Sequence, residues 1–338
     1  MKNLLITILM ASLAACGGPK QSSSNNQNIT AEPVGPTFSA DSAYRFCETQ
    51  CHFGPRTMNS EAHEQCGQWI ARQFQQYGMA VTEQRATLYG FDGTPLLSNN
   101  IIASYRPEQS ERILLCANWD SRPWADNDPD EANWRKPVTA ANDGASGVAV
   151  MLELARLLSI GQAPDDSTLA TQPLPFGIDF ICFDAEDWGI PQWSDAPDEG
   201  NSWALGSQYW AAHPHRHNYR ARYGILLDMV GGQGARFYHE GYSLHYASDI
   251  VARVWQAAQT VGFGGYFPQR DGNTITDDHV PVNQLAHIPC IDIIPLFPDC
   301  EQSSFGPTWH TLADDMQHID KNTLQAVGQT LVQVLWSE

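Results

Sequence analysis

FGIDFICFDAED, residues 176–187, decides the fold of this chain. Phe176, Ile178, Phe180, Ile181, Cys182 and Phe183 form a nearly continuous apolar, β-favouring run. Such a run suits a strand buried on both faces, as in the middle of a helix-flanked parallel sheet. It breaks into three carboxylates, Asp184, Glu186 and Asp187. In open α/β sheets ligands sit beyond the carboxyl ends of the strands. Acids there are poorly placed for packing and well placed for metal or proton chemistry. Taken alone, the stretch reads equally well as a strand followed by a solvated acidic turn.

The neighbouring segments repeat the pattern. Residues 112–120, RILLCANWD, and 223–230, YGILLDMV, are further buried strands that end in polar groups, and 288–295 is another. Residues 81–89 and 99–105 also have strand character. Helices are expected at 40–53, 60–77, 145–160, 202–212, 245–261 and 321–336, from apolar residues at helical spacing. In the third of these, Val148, Leu152, Ala155 and Leu158 line up as one apolar face. Residues 123–137 are a long loop rich in Asp, Asn and Trp. The alternation predicts an α/β fold, a mixed, mostly parallel central sheet with helices on both faces.

The two ends and the composition bound the rest. Lys2, the apolar run 4–13 and Leu13-Ala14-Ala15-Cys16 read as an export signal, too short for a permanent bilayer span. The tetrapeptide resembles the bacterial lipobox, which makes Cys16 the expected lipidation site. Residues 1–15 are then a lipoprotein signal peptide. Residues 16–36, poor in anything to bury, are a tether, and 37–338 are a single catalytic domain. The protein is expected on the periplasmic side of a bacterial membrane, the outer one by the Gly17 that follows Cys16, and to touch membrane only through its lipid. The 338 residues carry 19 Lys and Arg against 38 Asp and Glu, a formal charge of −19. That balance argues against nucleic acid or an anionic membrane face as partner. Export permits disulfides, and Cys47 or Cys51 with Cys66 would staple two N-terminal helices. Cys116, Cys182 and Cys290 lie in apolar runs and read as buried thiols.

Acids recur at the strand ends: Asp120, the 184–187 group, Asp228, and Asp278 ahead of the strand holding Asp292. Each alone is bland; Asp143 before a helix is most often an N-cap. Together, Asp143, Asp187 and His310 would give zinc two carboxylates and one imidazole, leaving an open position as catalytic zinc requires. Glu186, next to Asp187, is then a natural proton carrier.

ANDGASG (141–147), FDAED (183–187), LLDM (226–229) and WHT (309–311), in that order, resemble the zinc aminopeptidase superfamily. More narrowly they resemble the glutaminyl-peptide cyclotransferases, over roughly residues 40–338. The resemblance implies one Zn2+ held by Asp143, Asp187 and His310. It implies Glu186 as catalytic acid/base, with Asp228 and Asp278 behind and beside it. It also implies Trp193, Phe305 and Trp309 as aromatic walls for peptides or proteins with N-terminal Gln. The implied reaction is acyl transfer within the substrate, giving pyroglutamate and ammonia. A zinc aminopeptidase hydrolysing N-terminal residues is the alternative, and a catalytically dead binding module a more distant one. Two-zinc aminopeptidases resemble His-x-Asp where this chain reads Asn118-Trp119-Asp120, and an amide is a poor zinc ligand. Two departures from the animal cyclases stand out: Asp187 where they look to have Glu, and Asp292 where they look to have His. Asp292 is expected to join Asp228 and Asp278 in a carboxylate cluster that shares a proton. Oligomeric state is not legible, and a monomer is the simplest expectation.

Overall fold

The computed structural model describes residues 32–160, 173–197 and 202–338. The expected signal peptide, Cys16 and most of the tether lie outside the described residues. From Glu32 onward the chain forms one compact unit. Two helices come first, α1 (Ala40–His52) and α2 (Glu61–Gln76). Ser39 and Ser60 cap them, each side chain accepting the N–H three residues on. Strands β1 (Ala80–Tyr89), β2 (Pro95–Tyr105) and β3 (Arg112–Asn118) follow, then α3 (Ala145–Ile160) and β4 (Gly177–Phe183). The remainder runs α4 (Leu205–Ala212), β5 (Gly224–Leu227), α5 (Gly241–Thr260), α6 (His279–Gln284), β6 (Cys290–Ile293) and α7 (Lys321–Trp336).

The strands form one sheet in the order β1-β2-β4-β3-β5-β6. β1 and β2 are antiparallel to their neighbours, while β4, β3, β5 and β6 run parallel. The apolar run 176–183 therefore supplies β4, in the interior of the sheet and buried along its whole length. Alternation along the strands divides the core. Ile113, Leu115, Ala117, Ile178, Phe180 and Cys182 face a large cluster built with α1, α2, α3, α5 and α7. Leu114, Cys116, Ile181 and Phe183 face a smaller one with Trp210 of α4 and Val282 of α6. On that second face Arg112 and Asp179 form a buried bidentate pair at 2.5 and 2.7 Å.

The apolar face expected on α3 is buried, and burial extends round the helix: Ala145 to Ala155 are all buried, because α1 and α7 cover the side turned from the sheet. Its Glu153, fully buried, pairs with Arg156 at 2.6 Å and accepts the Ser39 N–H, tying down the start of α1. The cysteine staple is absent: all seven cysteines among the described residues are free thiols. Cys47 instead donates to the Ala141 carbonyl at 3.0 Å. Cys116, Cys182 and Cys290 are buried, as their apolar settings required. The strand ends also came out shorter than their apolar runs: β5 and β6 keep four residues each, and α6 is a helix that periodicity did not reveal.

Candidate active site

All the polar strand-end segments converge at the carboxyl edge of the parallel strands. Asp143 lies in the turn that leads into α3, and its place depends on close packing. A Cβ on Gly144 would stand 2.1 Å from Asn118 Oδ1, and one on Gly147 2.2 Å from the Leu227 carbonyl oxygen. Only glycine lets the turn press against β3 and β5 this closely. Ser146 Oγ donates to the Asn142 carbonyl at 2.5 Å and accepts the Val230 N–H at 3.0 Å, locking the turn to the end of β5. Arg56, buried, donates to the Trp119, Thr139 and Ala140 carbonyls behind it. Three site residues sit in the left-handed region without being glycine: Ala185 (φ 53°), Met229 (φ 50°) and His310 (φ 54°). Such backbone costs about 1–3 kcal/mol each and persists where packing imposes it.

Asp143, Asp187 and His310 bring one ligand atom each to within 4.8 Å of the others. His310 Nε2 lies 3.2 Å from Asp187 Oδ1 and 3.8 Å from Asp143 Oδ2. Its other nitrogen, Nδ1, faces Asp126 Oδ1 at 3.4 Å. With Nδ1–H donated to Asp126, Nε2 turns a lone pair toward two carboxylates. Neither Asp187 oxygen has a hydrogen-bond donor, although both are buried. Three electron-pair donors facing one point, with no donor hydrogen among them, fit a divalent cation.

Each of the three is moored by a different buried aspartate. Asp314 accepts from the Asn142 and Asp143 N–H groups at 2.7 and 3.1 Å. Asp120 accepts from Glu186 and Asp187 N–H, both at 3.2 Å. Asp126 serves His310. Asn118 donates through Nδ2 to Asp143 Oδ1 at 3.4 Å. It holds the ligand where the two-zinc pattern would supply another one.

A cavity of about 330 Å³ opens on this group. Its acids are Asp143, Glu186, Asp187, Asp228 and Asp277; its walls are Trp203, Phe305, Trp309, Ile275 and Ile294. Phe305 and Trp309 therefore stand where expected, 4.8 Å apart, and Trp309 stacks on His310 at 3.8 Å. Trp193 does not line the cavity. It packs further out, edge-on to Trp124 and parallel to Trp134, with Arg135 over its ring. Trp203 forms the wall instead. Asp278 is likewise replaced by its neighbour. It is fully buried, with neither oxygen hydrogen-bonded, while Asp277 faces the cavity. Nothing in DDH, residues 277–279, says which acid the turn before α6 will point inward. The Arg122–Asp126 pair was also missed. Its i,i+4 spacing and the scarcity of cations were the available signal.

Electrostatics follow from crowding. Burial, then Asp187 and Asp277, push the Glu186 carboxyl well above its ordinary range. Burial, then Asp187, do the same to Asp143. Asp292 is raised by burial, then by Asp277, Asp228 and Glu240, and Asp278 in turn helps to raise Asp228. Burial opposes a charge on His310, but the Asp187 carboxylate prevails and raises its pKa. Burial alone would raise Asp126 too; hydrogen bonds from His310 and Arg122 hold it far below. Behind the cavity Glu240 is held at about 2: burial is outweighed by the hydrogen bond from His279, at 3.1 Å.

A mixed α/β sheet with a two-carboxylate, one-imidazole group at its carboxyl edge defines the zinc exopeptidase-like class, for which zinc is the implied metal. The chain belongs to peptidase family M28, whose profile matches residues 100–335. The glutaminyl cyclase of Bacteroides thetaiotaomicron, solved with N-acetylhistamine, is 50% identical, with a TM-score of 0.85 over 90% of this chain and 100% of that one. A structure from the same organism, described as a leucine aminopeptidase precursor, is 49% identical, with a TM-score of 0.84 over 90% of this chain and 99% of its own. The glutaminyl cyclase of Tannerella forsythia is 47% identical, also at 0.84, over 90% and 100%. Among curated relatives, aminopeptidase YwaD of Bacillus subtilis is 28% identical over 77% of this chain, and the match spans only 49% of that longer protein. The glutaminyl-peptide cyclotransferase of Gloydius blomhoffii is 27% identical over 74% of this chain and 67% of its own length.

Proposed function

We propose that this protein is a glutaminyl-peptide cyclotransferase, converting an N-terminal glutaminyl residue to pyroglutamate with release of ammonia, with one zinc ion held by Asp143, Asp187 and His310. The observation that carries this reading is Asn118. It donates to Asp143 where an aminopeptidase of the two-metal kind would place a second histidine ligand. The likeness to two glutaminyl cyclases at 47–50% identity supports it.

Bound zinc would supply a Lewis acid for the substrate's γ-carbonyl oxygen. The chain's residues do the rest. Nucleophile and electrophile belong to one residue, so the walls of Trp203, Phe305 and Trp309 chiefly hold a reactive conformer and keep water out. The α-amine nitrogen bonds to the carbonyl carbon of the γ-carboxamide, and Glu186 takes the proton it sheds. Glu186 returns that proton to the amide nitrogen as the C–N bond breaks and ammonia leaves. Asp277, also facing the cavity, is placed to hydrogen-bond the departing nitrogen. A cation between Asp143 and Asp187 offsets two of the charges that raise Glu186, which favours the ionised form the first transfer needs.

A Gln-Ala peptide incubated with the purified chain tests the reading. Ammonia and pyroglutamyl-Ala, both abolished by a chelator, are expected. Free alanine and glutamine would assign an aminopeptidase, and no product would assign a binding module. We further propose export and lipid anchoring through Cys16. Incorporation of labelled fatty acid in a bacterial host should vanish in Cys16→Ala, and unchanged labelling would refute it.

A further inference from the structure

Arg122 is 1% exposed, and the side chain carries all five of its N–H donors into hydrogen bonds. Nε and Nη2 grip both oxygens of Asp126, at 3.1 and 2.7 Å. Nη1 donates to the Asp187 and Gly189 carbonyls at 3.0 and 2.9 Å, and Nη2 reaches the Ile190 carbonyl at 3.5 Å. Its guanidinium also lies over two rings, 4.5 Å from the centre of Trp203 and 5.2 Å from that of Trp124. Asp126 in turn faces His310 Nδ1 at 3.4 Å, and Trp203 walls the cavity. One planar cation thus touches the carboxylate that orients His310, the backbone of Asp187, and a wall against which substrate must lie.

We infer that Arg122 is a positioning residue that sets metal affinity and substrate affinity together, through Asp126 on His310 and through its own face on Trp203. A carboxylate behind a ligating imidazole fixes its tautomer and angle, and losing that partner typically weakens metal binding about 10–100-fold. A carboxylate gripped at both oxygens has no freedom to turn from the ring. Arginine is required because the fork and the flat face act at once. A lysine ammonium satisfies one oxygen and covers neither ring. The substrate half of this inference rests on the cyclase reading; the metal half does not.

The experiment measures zinc affinity by competition with a chromophoric chelator, KM for a glutaminyl peptide, and the melting temperature of the metal-free full chain. In Arg122→Lys, zinc affinity falls about 10–100-fold, and KM rises about 5- to 30-fold with the cation–π contact. Asp126→Asn loses zinc affinity to a similar degree with KM nearly unchanged at saturating zinc. Trp203→Leu raises KM by a larger factor than it lowers zinc affinity, since this ring also stacks parallel to His310 at 5.9 Å. Unaltered zinc affinity in Arg122→Lys or in Asp126→Asn overturns the inference. So does zinc loss that appears only with collapse of the metal-free fold in both variants, which would make Arg122 a scaffold residue and no more. If the unaltered chain turns over no glutaminyl peptide, the cyclase reading fails while the zinc comparison still decides the link to His310.

Discussion

Replacing Glu186 by Gln removes one charge and one proton site and leaves the shape of the cavity. The backbone seat survives, because the Glu186 N–H is held by Asp120 at 3.2 Å and not by its own side chain. The carboxylate is crowded by Asp187, Asp277, Asp278 and Asp143, so a neutral amide relieves repulsion. Stability should therefore hold or rise, and the three ligand atoms should keep their zinc. What disappears is proton transfer from the amine to the departing nitrogen. General acid–base catalysis contributes about 10²–10⁴ in rate, which is about 3–5.5 kcal/mol of barrier at 1.36 kcal/mol per tenfold. The expected variant has kcat reduced by that factor, KM little changed, and metal content equal to that of the parent. The assay couples ammonia release to reductant oxidation, with elemental analysis of the same preparation. Normal turnover with normal zinc would refute Glu186 as the proton carrier. Loss of zinc would mean that it is a ligand.

Further outcomes follow from the same geometry. Asp143→Ala and His310→Ala should each lose bound metal and activity together; elemental analysis showing full zinc in both would remove them from the ligand group. Asp277→Asn should lower kcat clearly more than Asp278→Asn, because only the first faces the cavity; equal kcat in both would contradict that placement. Metal-free protein should lose stability as pH rises, since Asp143, Asp228 and Glu186 have raised pKa values from burial and neighbouring acids, and Asp314 is raised by burial to about 6. A raised carboxyl stabilises the fold fully below its unfolded value and loses that contribution as pH climbs through the folded one. Melting temperatures should thus decline from about pH 4 to beyond 6, and zinc should flatten the decline; a metal-free protein that grows steadily more stable toward pH 8 would oppose this. Turnover should rise toward mildly alkaline pH, because the attacking amine titrates near about 7.7–8.0 and must be neutral. A rate profile peaking near pH 5 would contradict an amine nucleophile.

Much of the fold was legible because buried parallel strands advertise themselves. β3 and β4 are seven-residue runs with little that is polar, and each stops at its acids or amides. The acids and the histidine that could hold a metal were legible for a related reason, since a strand that has finished packing gains nothing from Asp187. What the chain did not disclose was direction. Asp277 and Asp278 are adjacent acids, and Trp193 and Trp203 are two tryptophans flanking one long connection. Which of each pair points inward depends on turns with no periodic signal. Arg122 was hidden more deeply. In one dimension residues 123–137 read as a wet loop, yet Asp126 and Arg122 are both 1% exposed. Burial of the pair requires Trp124 and Trp203 to close over it, and these come from separate parts of the sequence. On α3 the apolar face was legible; with charge only at Glu153 and Arg156, the rest of its surface was also dry enough to bury.

The encasement of α3 has a bearing on which ions the protein will tolerate. Asp143 stands at the head of a helix clamped on all sides, and its turn has no spare room at Gly144 or Gly147. Asp187 lies four residues beyond the interior strand β4, its N–H and that of Glu186 held by the buried Asp120. His310 comes from a segment far from any strand, its ring held by side chains. Exchange of zinc for a cation of greater ionic radius, such as cadmium, would then be absorbed by displacement of the imidazole and the tryptophan stacked on it. Spectroscopic distortion should concentrate there, with the two carboxylates scarcely moved.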